Sequence, residues 1–195
     1  IDFLRKVNKT ENPNLISGDV VVVGGGNVAI DVARAALRSG AQKVHLCSLE
    51  QEGEMPASFE EVQEAKEEGI LLHCGWGPKE ILEDSIVFKQ CVSVKDKTGR
   101  FNPSYDESVL ETIQCSHVLL SIGQSIIPIQ GLDVEVNTNG TIKADGTTLQ
   151  TSVEDVFVGG DVYTGPKFAI DAISHGKEAA ESMHRFVHKG HSLTI

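Results

Sequence analysis

The sequence feature that most constrains the fold is a glycine triplet set between a β-branched run and an amphipathic stretch. Val20–Val23 has the composition of a fully buried parallel strand and runs directly into Gly24–Gly26. Apolar residues at helical spacing predict a helix over 27–39, and Gly40 stands where a glycine commonly ends a helix. A strand, a glycine-rich turn and a helix in this order predict an α/β fold with a parallel sheet.

The spacing Gly24-x-Gly26-x-x-Ala29 gives each small residue a specific part in this turn. The first glycine permits a tight turn, the second lets the backbone approach a diphosphate, and the alanine lets helix and strand pack closely. The helix N-terminus offers free N–H groups and the positive end of the helix dipole. The predicted diphosphate site comprises Gly24, Gly25, Gly26, Asn27, Val28 and Ala29. The alternative is a plain strand–turn–helix without a ligand.

The next segments extend the same alternation of strands and helices. Val44–Ser48 is predicted to be the second strand and Ile70–His73 the third. Between them, Ser58 and Glu61 fit a capping box, which opens a helix that runs to Glu68 and ends at Gly69. The resulting βαβαβ unit is the mononucleotide-binding half of a doubly wound, Rossmann-type sheet.

The pattern then changes to short strands separated by turns. An antiparallel β-meander is predicted from Ile81–Leu82, Ile86–Val94 and Val109–Gln114, with turns at 84–85 and 97–106. The segment 75–78 is predicted to be a turn with a packed indole. A further buried strand, Val118–Ile122, is closed by Gly123, and the domain boundary is expected near 122–125.

A second candidate site follows a predicted strand at Val156–Val158, which ends in Gly159-Gly160-Asp161. Asp161 stands past the carboxyl end of that strand, where open α/β sheets bind ligands, and could accept a hydrogen bond from a ribityl hydroxyl of a flavin. Pro166 suits the first turn of a helix that runs to about His188, whose N-terminus near Ala169 could stabilise a reduced flavin. The alternative is that Asp161 caps the turn after the strand.

The apolar face of that last helix is expected to be buried. Its members are Phe168, Ala169, Ala172, Ile173, Ala180, Met183 and Val187.

The residues after the second strand bear on which dinucleotide the chain binds. Glu50 follows Gly26 by 24 residues, where a ribose-binding carboxylate is expected, and Ser48 precedes it at the strand end. The segment 47–54 holds three carboxylates and no Lys or Arg. Two like charges at ~4 Å repel by roughly 4 kcal/mol at an effective dielectric near 20, which opposes a 2′-phosphate unless a cation compensates. NAD(H) is therefore favoured over NADP(H); the alternative is a solvated acidic loop.

Three basic residues could supply that compensation. They are Arg34, Arg38 and Lys43.

Composition and charge exclude several other classes of protein. The net charge of −11 argues against a duplex-binding surface or a polybasic membrane anchor, so neither nucleic acid nor membrane is an expected partner. No apolar run approaches the ~20 residues that span a bilayer, and no segment has the pattern of a signal peptide, so a cytoplasmic location is expected. The four cysteines form no CxxC pair, and no metal site is predicted.

Four stretches together resemble one family of flavoproteins. They are VVVVGGGNVAIDVARAALRSGA, EMPASFEEVQEAKEEGI, the tripeptide IGQ at 122–124 and TSVEDVFVGGDVYTGPKFAIDAISHGKEAA. In this order they are similar to the small subunit of glutamate synthase and its relatives, including the flavin region of dihydropyrimidine dehydrogenase.

The resemblance implies an NAD(P)-binding Rossmann domain inserted into an FAD-binding domain. Residues 1–17 would connect from the FAD domain, 18–121 would form the NAD(P) domain and 122–195 the C-terminal part of the FAD domain. Ile122, Gly123, Gly160 and Asp161 would lie at the flavin. The first half of the FAD domain, with its own glycine-rich loop, is not in this sequence, so a fragment of a longer protein is expected.

The implied reaction passes hydride from NAD(P)H to FAD and electrons on to iron–sulfur centres or a partner subunit. That step needs no protein acid or base, and no catalytic residue is predicted. Family members that use NADPH carry two arginines shortly before the Met-Pro-Ala segment, where this chain has Leu49 and Glu50. Two other hypotheses remain, a non-catalytic NAD-sensing module and a flavin-free NAD-dependent dehydrogenase, neither of which needs the Gly160-Asp161 element.

Overall fold

A computed structural model describes residues 1–10, 14–127 and 131–188. The chain divides into two compact units, the first over Ile1–Gly123 and the second from Gln124 onward. Within the described ranges, no helix combines the length and the apolar character that a membrane span requires.

The first unit is built on a four-stranded parallel sheet. Its strands are β1 (Asp19–Val23), β2 (Lys43–Ser48), β3 (Leu71–Cys74) and β7 (His117–Leu120), in the order β3-β2-β1-β7. β1 lies between β2 and β7, with Val22 beside Leu46 on one side and Leu119 on the other. The predicted Rossmann-type parallel sheet is confirmed.

Helices cover one face of this sheet. They are α1 (Asp2–Lys9), α2 (Asn27–Arg38) and α3 (Phe59–Glu67). Val20 and Val22 of β1, with Ala29 and Ala33 of α2, are almost completely buried in the core between them. Because β-carbons alternate along a strand, Val21 and Val23 point to the opposite face. Sequence patterning did not predict α1, whose Phe3 and Leu4 pack against this core.

An antiparallel sheet covers the other face. Its strands are β4 (Trp76–Ile81), β5 (Ser85–Lys95) and β6 (Phe101–Gln114). Ile86 and Phe88 of β5 are fully buried in a second core with Val21 and Cys47 of the parallel sheet. The predicted meander is confirmed, although two of its turns are shorter than expected. Trp76 lies in a strand because Gly75 alone makes the turn, and β6 already begins at Phe101.

β7 departs from its sequence prediction of a buried strand at 118–122. It ends at Leu120, and the side chains of Leu120 and Ile122 are 54% and 71% exposed. The reason is topological: β7 is the last strand in the sheet order and pairs with β1 on one side only.

The second unit contains the short helix α4 (Asp161–Thr164) and the long helix α5 (Ala169–His188). The predicted strand at 156–158 is wrong, because Phe157 makes an isolated antiparallel bridge with Gln150 rather than a ladder. Pro166 does not lie in the first turn of α5, since Gly165 ends α4 and Phe168 supplies the first carbonyl of the next helix. Part of the segment 124–138 lies outside the described residues.

The face of α5 that was predicted to be buried is exposed. Its seven predicted members are all solvent-exposed, whereas Ala179 and Ser182 are buried. Helical periodicity identified an apolar stripe, but periodicity alone does not say which side of a helix the unit packs against.

A histidine pair joins the parallel sheet to the antiparallel one. His45 Nδ1 lies 2.9 Å from His73 Nε2, and His73 Nδ1 lies 3.5 Å from a carboxylate oxygen of Glu111 on β6. Burial, followed by the charge of His73, lowers the pKa of His45; Lys43 also lowers it, whereas Asp19 and Glu111 oppose the shift. The folded protein therefore favours a neutral His45.

We expect this arrangement to make the stability of the first unit depend on pH. The unfolded chain takes up the proton near pH ~6.5, before the folded chain does. Stability is thus complete above that pH and falls as the pH drops towards the lowered pKa of His45, by at most ~1.4 kcal/mol per pH unit. Urea unfolding followed by the fluorescence of Trp76, the single tryptophan, should show this slope. A His45→Gln variant should flatten it and the exposed His117→Gln should not; equal slopes in all three would contradict the assignment.

Candidate dinucleotide site

The glycine-rich turn is pinned between two neighbouring strands. The N–H of Gly24 donates to the carbonyl of Cys47 at 2.9 Å, and Gly24 itself has φ +144°. A β-carbon at position 24 would collide with the carbonyl oxygen of Ser121 and lie 2.9 Å from its carbonyl carbon. Ala29, fully buried, packs directly under the turn. The surroundings of Gly24 and Ala29 therefore suit the predicted roles, which are a tight turn at Gly24 and close packing of helix and strand at Ala29.

A row of backbone N–H groups follows this turn without acceptors. The N–H groups of Gly25, Gly26, Asn27 and Val28 donate to no acceptor among the residues that the structure describes. Gly26 is the N-cap of α2, and a β-carbon on it would meet no atom within 4 Å. Unpaired N–H groups and the positive end of a helix dipole together favour an anion. The space beside Gly26 fits a diphosphate.

Glu50 lies over the same turn. Its Oε2 atom is 2.6 Å from the place that a β-carbon of Gly25 would occupy. The backbone carbonyl of Glu50 accepts from the hydroxyl of Ser48 at 2.9 Å and from the N–H of Gly75 at 3.0 Å. Ser48 is 1% exposed, so its hydroxyl holds the loop that presents Glu50 rather than facing solvent.

A tertiary contact that the sequence did not reveal joins the glycine turn to α3. The N–H of Ser58 donates to Asn27 Oδ1 at 2.8 Å, and the N–H of Ala57 donates to the carbonyl of Gly25 at 3.0 Å. The predicted capping box is half formed: Ser58 Oγ accepts from the N–H of Glu61. Because Asn27 occupies the N–H of Ser58, the Oε2 atom of Glu61 is buried without a hydrogen-bond partner.

The basic residues of α2 are engaged in ion pairs away from this loop. Arg34 contacts Glu64 at 2.8 Å and Glu68 at 2.6 Å, and Arg38 contacts Glu68 at 2.5 Å. Hydrogen bonding from Arg34 lowers the pKa of Glu68, and the same bond raises the pKa of Arg34. The two arginines therefore bind α3 to α2.

Lys43 stands at the wrong end of β2 to neutralise a phosphate near Glu50. It begins the strand, and Ser48 ends it. Five steps of a strand separate the two residues by about 17 Å. None of the three basic residues considered from the sequence is thus placed to compensate the carboxylates of 47–54.

The glycine–aspartate element of the second unit is held by α5. The N–H of Gly160 donates to His175 Nδ1 at 3.2 Å, and the ring of His175 contacts Tyr163 edge to face. Asp161 is exposed, and its Oδ1 atom accepts from the backbone N–H of Lys167 at 3.3 Å. That bond is the turn-capping role considered as the alternative, and it leaves the residue accessible. Pro166 and Ala169 are exposed nearby along the chain.

Ile122 and Gly123 follow β7 at the end of the first unit. Both are exposed, and a β-carbon on Gly123 would meet no atom within 4 Å. They make no close contact that identifies a ligand.

The four cysteines are all free thiols, and burial raises the pKa of each one. Raised thiol pKa values suit packing rather than nucleophilic chemistry. Across the described residues, no cluster of three or more His, Cys, Asp or Glu side chains could hold a metal ion.

Comparison with known proteins assigns the chain to a family. The family described as pyridine nucleotide-disulphide oxidoreductase matches residues 1–176. The chain belongs to this family. Membership agrees with the turn, the parallel sheet and the meander described above, and it confirms the predicted oxidoreductase class.

Curated relatives within the pyridine nucleotide-disulphide oxidoreductases include subunits of larger enzymes. The NADP(+)-dependent formate dehydrogenase subunit beta of Moorella thermoacetica is 38% identical over 198 residues, covering 97% of this chain and 28% of that protein. The NADPH glutamate synthase small chain of Azospirillum brasilense is 31% identical, over 95% of this chain and 43% of its own length. The NAD-dependent dihydropyrimidine dehydrogenase subunit PreT of Escherichia coli is 29% identical, over 96% and 41%.

The chain thus spans between about a quarter and a half of the length of these relatives. The resemblance to glutamate synthase small subunits is confirmed. Solved structures with the same fold include thioredoxin reductase of T. acidophilum, with TM-score 0.66, 23% identity and coverage of 87% of this chain and 52% of that one. Mycobacterium tuberculosis FprA in complex with NADPH has TM-score 0.70 and 17% identity, with coverage of 94% and 56%.

Proposed function

We propose that this chain is the nucleotide-binding part of a flavin-dependent oxidoreductase that takes hydride from NAD(H). The observation that carries the proposal is the row of N–H groups from Gly25 to Val28 beside the open space at Gly26. Among the residues that the structure describes, none accepts a hydrogen bond from this row. A diphosphate would accept hydrogen bonds from this row, and the adenosine ribose would extend towards Glu50.

The preference for NAD(H) over NADP(H) rests on charge. Glu50 lies over Gly25, where its carboxylate would accept hydrogen bonds from ribose hydroxyls and repel a 2′-phosphate. Arg34 and Arg38 are paired with acids of α3 and its C-cap, and Lys43 stands at the opposite end of β2 from Ser48. Some relatives are named for NADPH and others for NAD, so the preference between the two dinucleotides has to be argued from this chain's own residues.

The second unit is proposed to contribute to FAD binding. Asp161 is accessible beside Gly160, and its second carboxylate oxygen is available to a ribityl hydroxyl. The proposed boundaries are 1–17 for a connecting segment, 18–121 for the NAD(P) domain and 122–195 for the C-terminal part of the FAD domain. Ile122, Gly123, Pro166 and Ala169 are each proposed to contribute to FAD binding.

Bound flavin and nicotinamide would themselves supply the redox chemistry, since hydride passes directly between their rings. This chain's residues bind and orient: the turn holds the diphosphate, and Glu50 fixes the ribose. No side chain here is assigned a proton transfer. Because relatives carry the names of beta subunits and small chains, an iron–sulfur domain or electron-accepting partner subunit is proposed to receive the electrons.

Anaerobic addition of NADH to the full-length protein tests the function. We expect bleaching of the visible flavin absorbance, with NADPH needed at about tenfold higher concentration. In Glu50→Arg, the difference between the NADH and NADPH concentrations that bleach the flavin should narrow. An arginine attracts the 2′-phosphate and cannot accept hydrogen bonds from the ribose hydroxyls. Circular dichroism spectra matching the parent serve as the control for folding.

Two outcomes would contradict the proposal. Tighter binding of NADPH than of NADH by the parent would refute the role of Glu50. NADH binding without bound flavin would favour the NAD-sensing module or the flavin-free dehydrogenase.

A further inference from the structure

The loop that carries Glu50 also contains an ion pair that sequence analysis did not identify. Lys66 Nζ, on α3, lies 2.7 Å from Glu52 Oε1, in the 3-10 turn Glu52–Glu54. Both side chains are about half exposed, 40% for Lys66 and 54% for Glu52, so each can exchange its partner for another charged group. Lys66 is therefore a cation held from α3 against the loop that carries Glu50, where we place the adenosine ribose.

Chain position and the charges felt by a common neighbour place this ion pair near Glu50. Glu50 and Glu52 are two residues apart, and the N–H of Gly75 fixes the carbonyl of Glu50. The thiol of Cys74 reports the surrounding charges: burial raises its pKa, a hydrogen bond with Ser48 lowers it, Glu52 raises it, Lys66 lowers it and Glu50 raises it. All three charged residues thus lie near the thiol of Cys74, a partly buried residue at the carboxyl end of β3.

We infer that Glu52 masks Lys66, and that this ion pair is a second determinant of dinucleotide preference besides Glu50. The inference rests on the proposed function. With Glu52 present, the ammonium of Lys66 is neutralised and the loop keeps a negative field. Without Glu52, Lys66 becomes an uncompensated cation beside the loop that carries Glu50, and a 2′-phosphate gains an attractive partner where it previously met a like charge.

The test compares binding of NADH and NADPH by the full chain and four variants. Glu52→Gln keeps the size of the side chain and removes its charge, and Lys66→Met removes the cation while suiting a helix. The double variant separates the two effects. Glu107→Gln is the matched control, since it breaks a 2.6 Å ion pair with Lys89 on the antiparallel sheet and changes the net charge by the same amount.

We expect Glu52→Gln to bind NADPH about tenfold more tightly and to leave NADH within about twofold, because a 2′-hydroxyl carries no charge to attract. The gain should disappear in Glu52→Gln with Lys66→Met, and Glu107→Gln should behave like the parent. High salt should reduce the gain, since exposed charges are screened.

Other outcomes would overturn the inference in distinguishable ways. If the parent binds NADH but Glu52→Gln binds NADPH no more tightly than the parent does, Glu52 does not mask Lys66. The proposed function then still stands. If the double variant still binds NADPH more tightly than the parent, the effect comes from the charge of Glu52 alone, and Lys66 has no role in it. Equal gains for NADH and NADPH refute a role in specificity, and a parent that binds neither dinucleotide refutes the proposed function together with the inference.

Discussion

Replacing Gly26 with alanine should abolish tight binding of NADH while leaving the fold intact. The backbone at position 26 has φ −93° and ψ 172°, which alanine adopts without strain. The added methyl group would enter open space, where we place the diphosphate. We expect NADH affinity to fall on the order of 100-fold, ~2.7 kcal/mol, when measured by titration calorimetry.

Urea unfolding of Gly26→Ala should differ from the parent by less than about 1 kcal/mol, the scale on which alanine is a poorer N-cap than glycine. Gly176→Ala is the control: its β-carbon in α5 also meets no atom within 4 Å, so NADH binding should be unchanged. Unimpaired NADH binding by Gly26→Ala would show that the row of N–H groups is not where the diphosphate lies.

Gly24→Ala, in the same turn, should instead lower the free energy of unfolding and affect NADH binding only through the loss of folded protein. Its β-carbon would collide with the carbonyl of Ser121, and its φ of +144° is one that side chains rarely adopt. Strain and overpacking of this kind each cost roughly 1–3 kcal/mol, so we expect a loss of unfolding free energy on the order of 3 kcal/mol. The midpoint of urea unfolding, read from Trp76 fluorescence, measures it.

A normal unfolding midpoint in Gly24→Ala would mean that the turn and the end of β7 are not packed as described. Residual NADH binding should track the folded fraction of this variant. The two variants would thereby separate the proposed roles of the two glycines: Gly24 supports the structure of the turn, and Gly26 keeps space for a diphosphate.

Local patterning was sufficient for the central elements. The β-branched run Val20–Val23, the glycine turn and the stripe of α2 predicted the strand, the turn and the helix within one residue of their bounds. Ser58 as an N-cap was also readable, since a side-chain cap needs only residues three apart. These features depend on sequence neighbours, which is why one sequence reveals them.

Patterning failed where a property depends on what packs against an element. The stripe on α5 is apolar yet exposed, β7 is at an edge, and the β-branched segment at 156–158 finds no ladder. The helix α1, whose Phe3 and Leu4 are only partly buried against the core, was not predicted from the sequence.

The order of residues along the chain determined the family and the glycine turn at which we propose that a diphosphate binds, because a buried strand, a glycine turn and a helix are local in sequence. The fold alone decided which charges meet. Lys66 with Glu52, His45 with His73 and Asn27 with Ser58 are separated by 14, 28 and 31 residues and come together only through strand order and helix packing. Coulomb energy depends on distance in space, so the balance of charge around Glu50 could not be derived from composition, where Arg34 and Lys43 looked equally available.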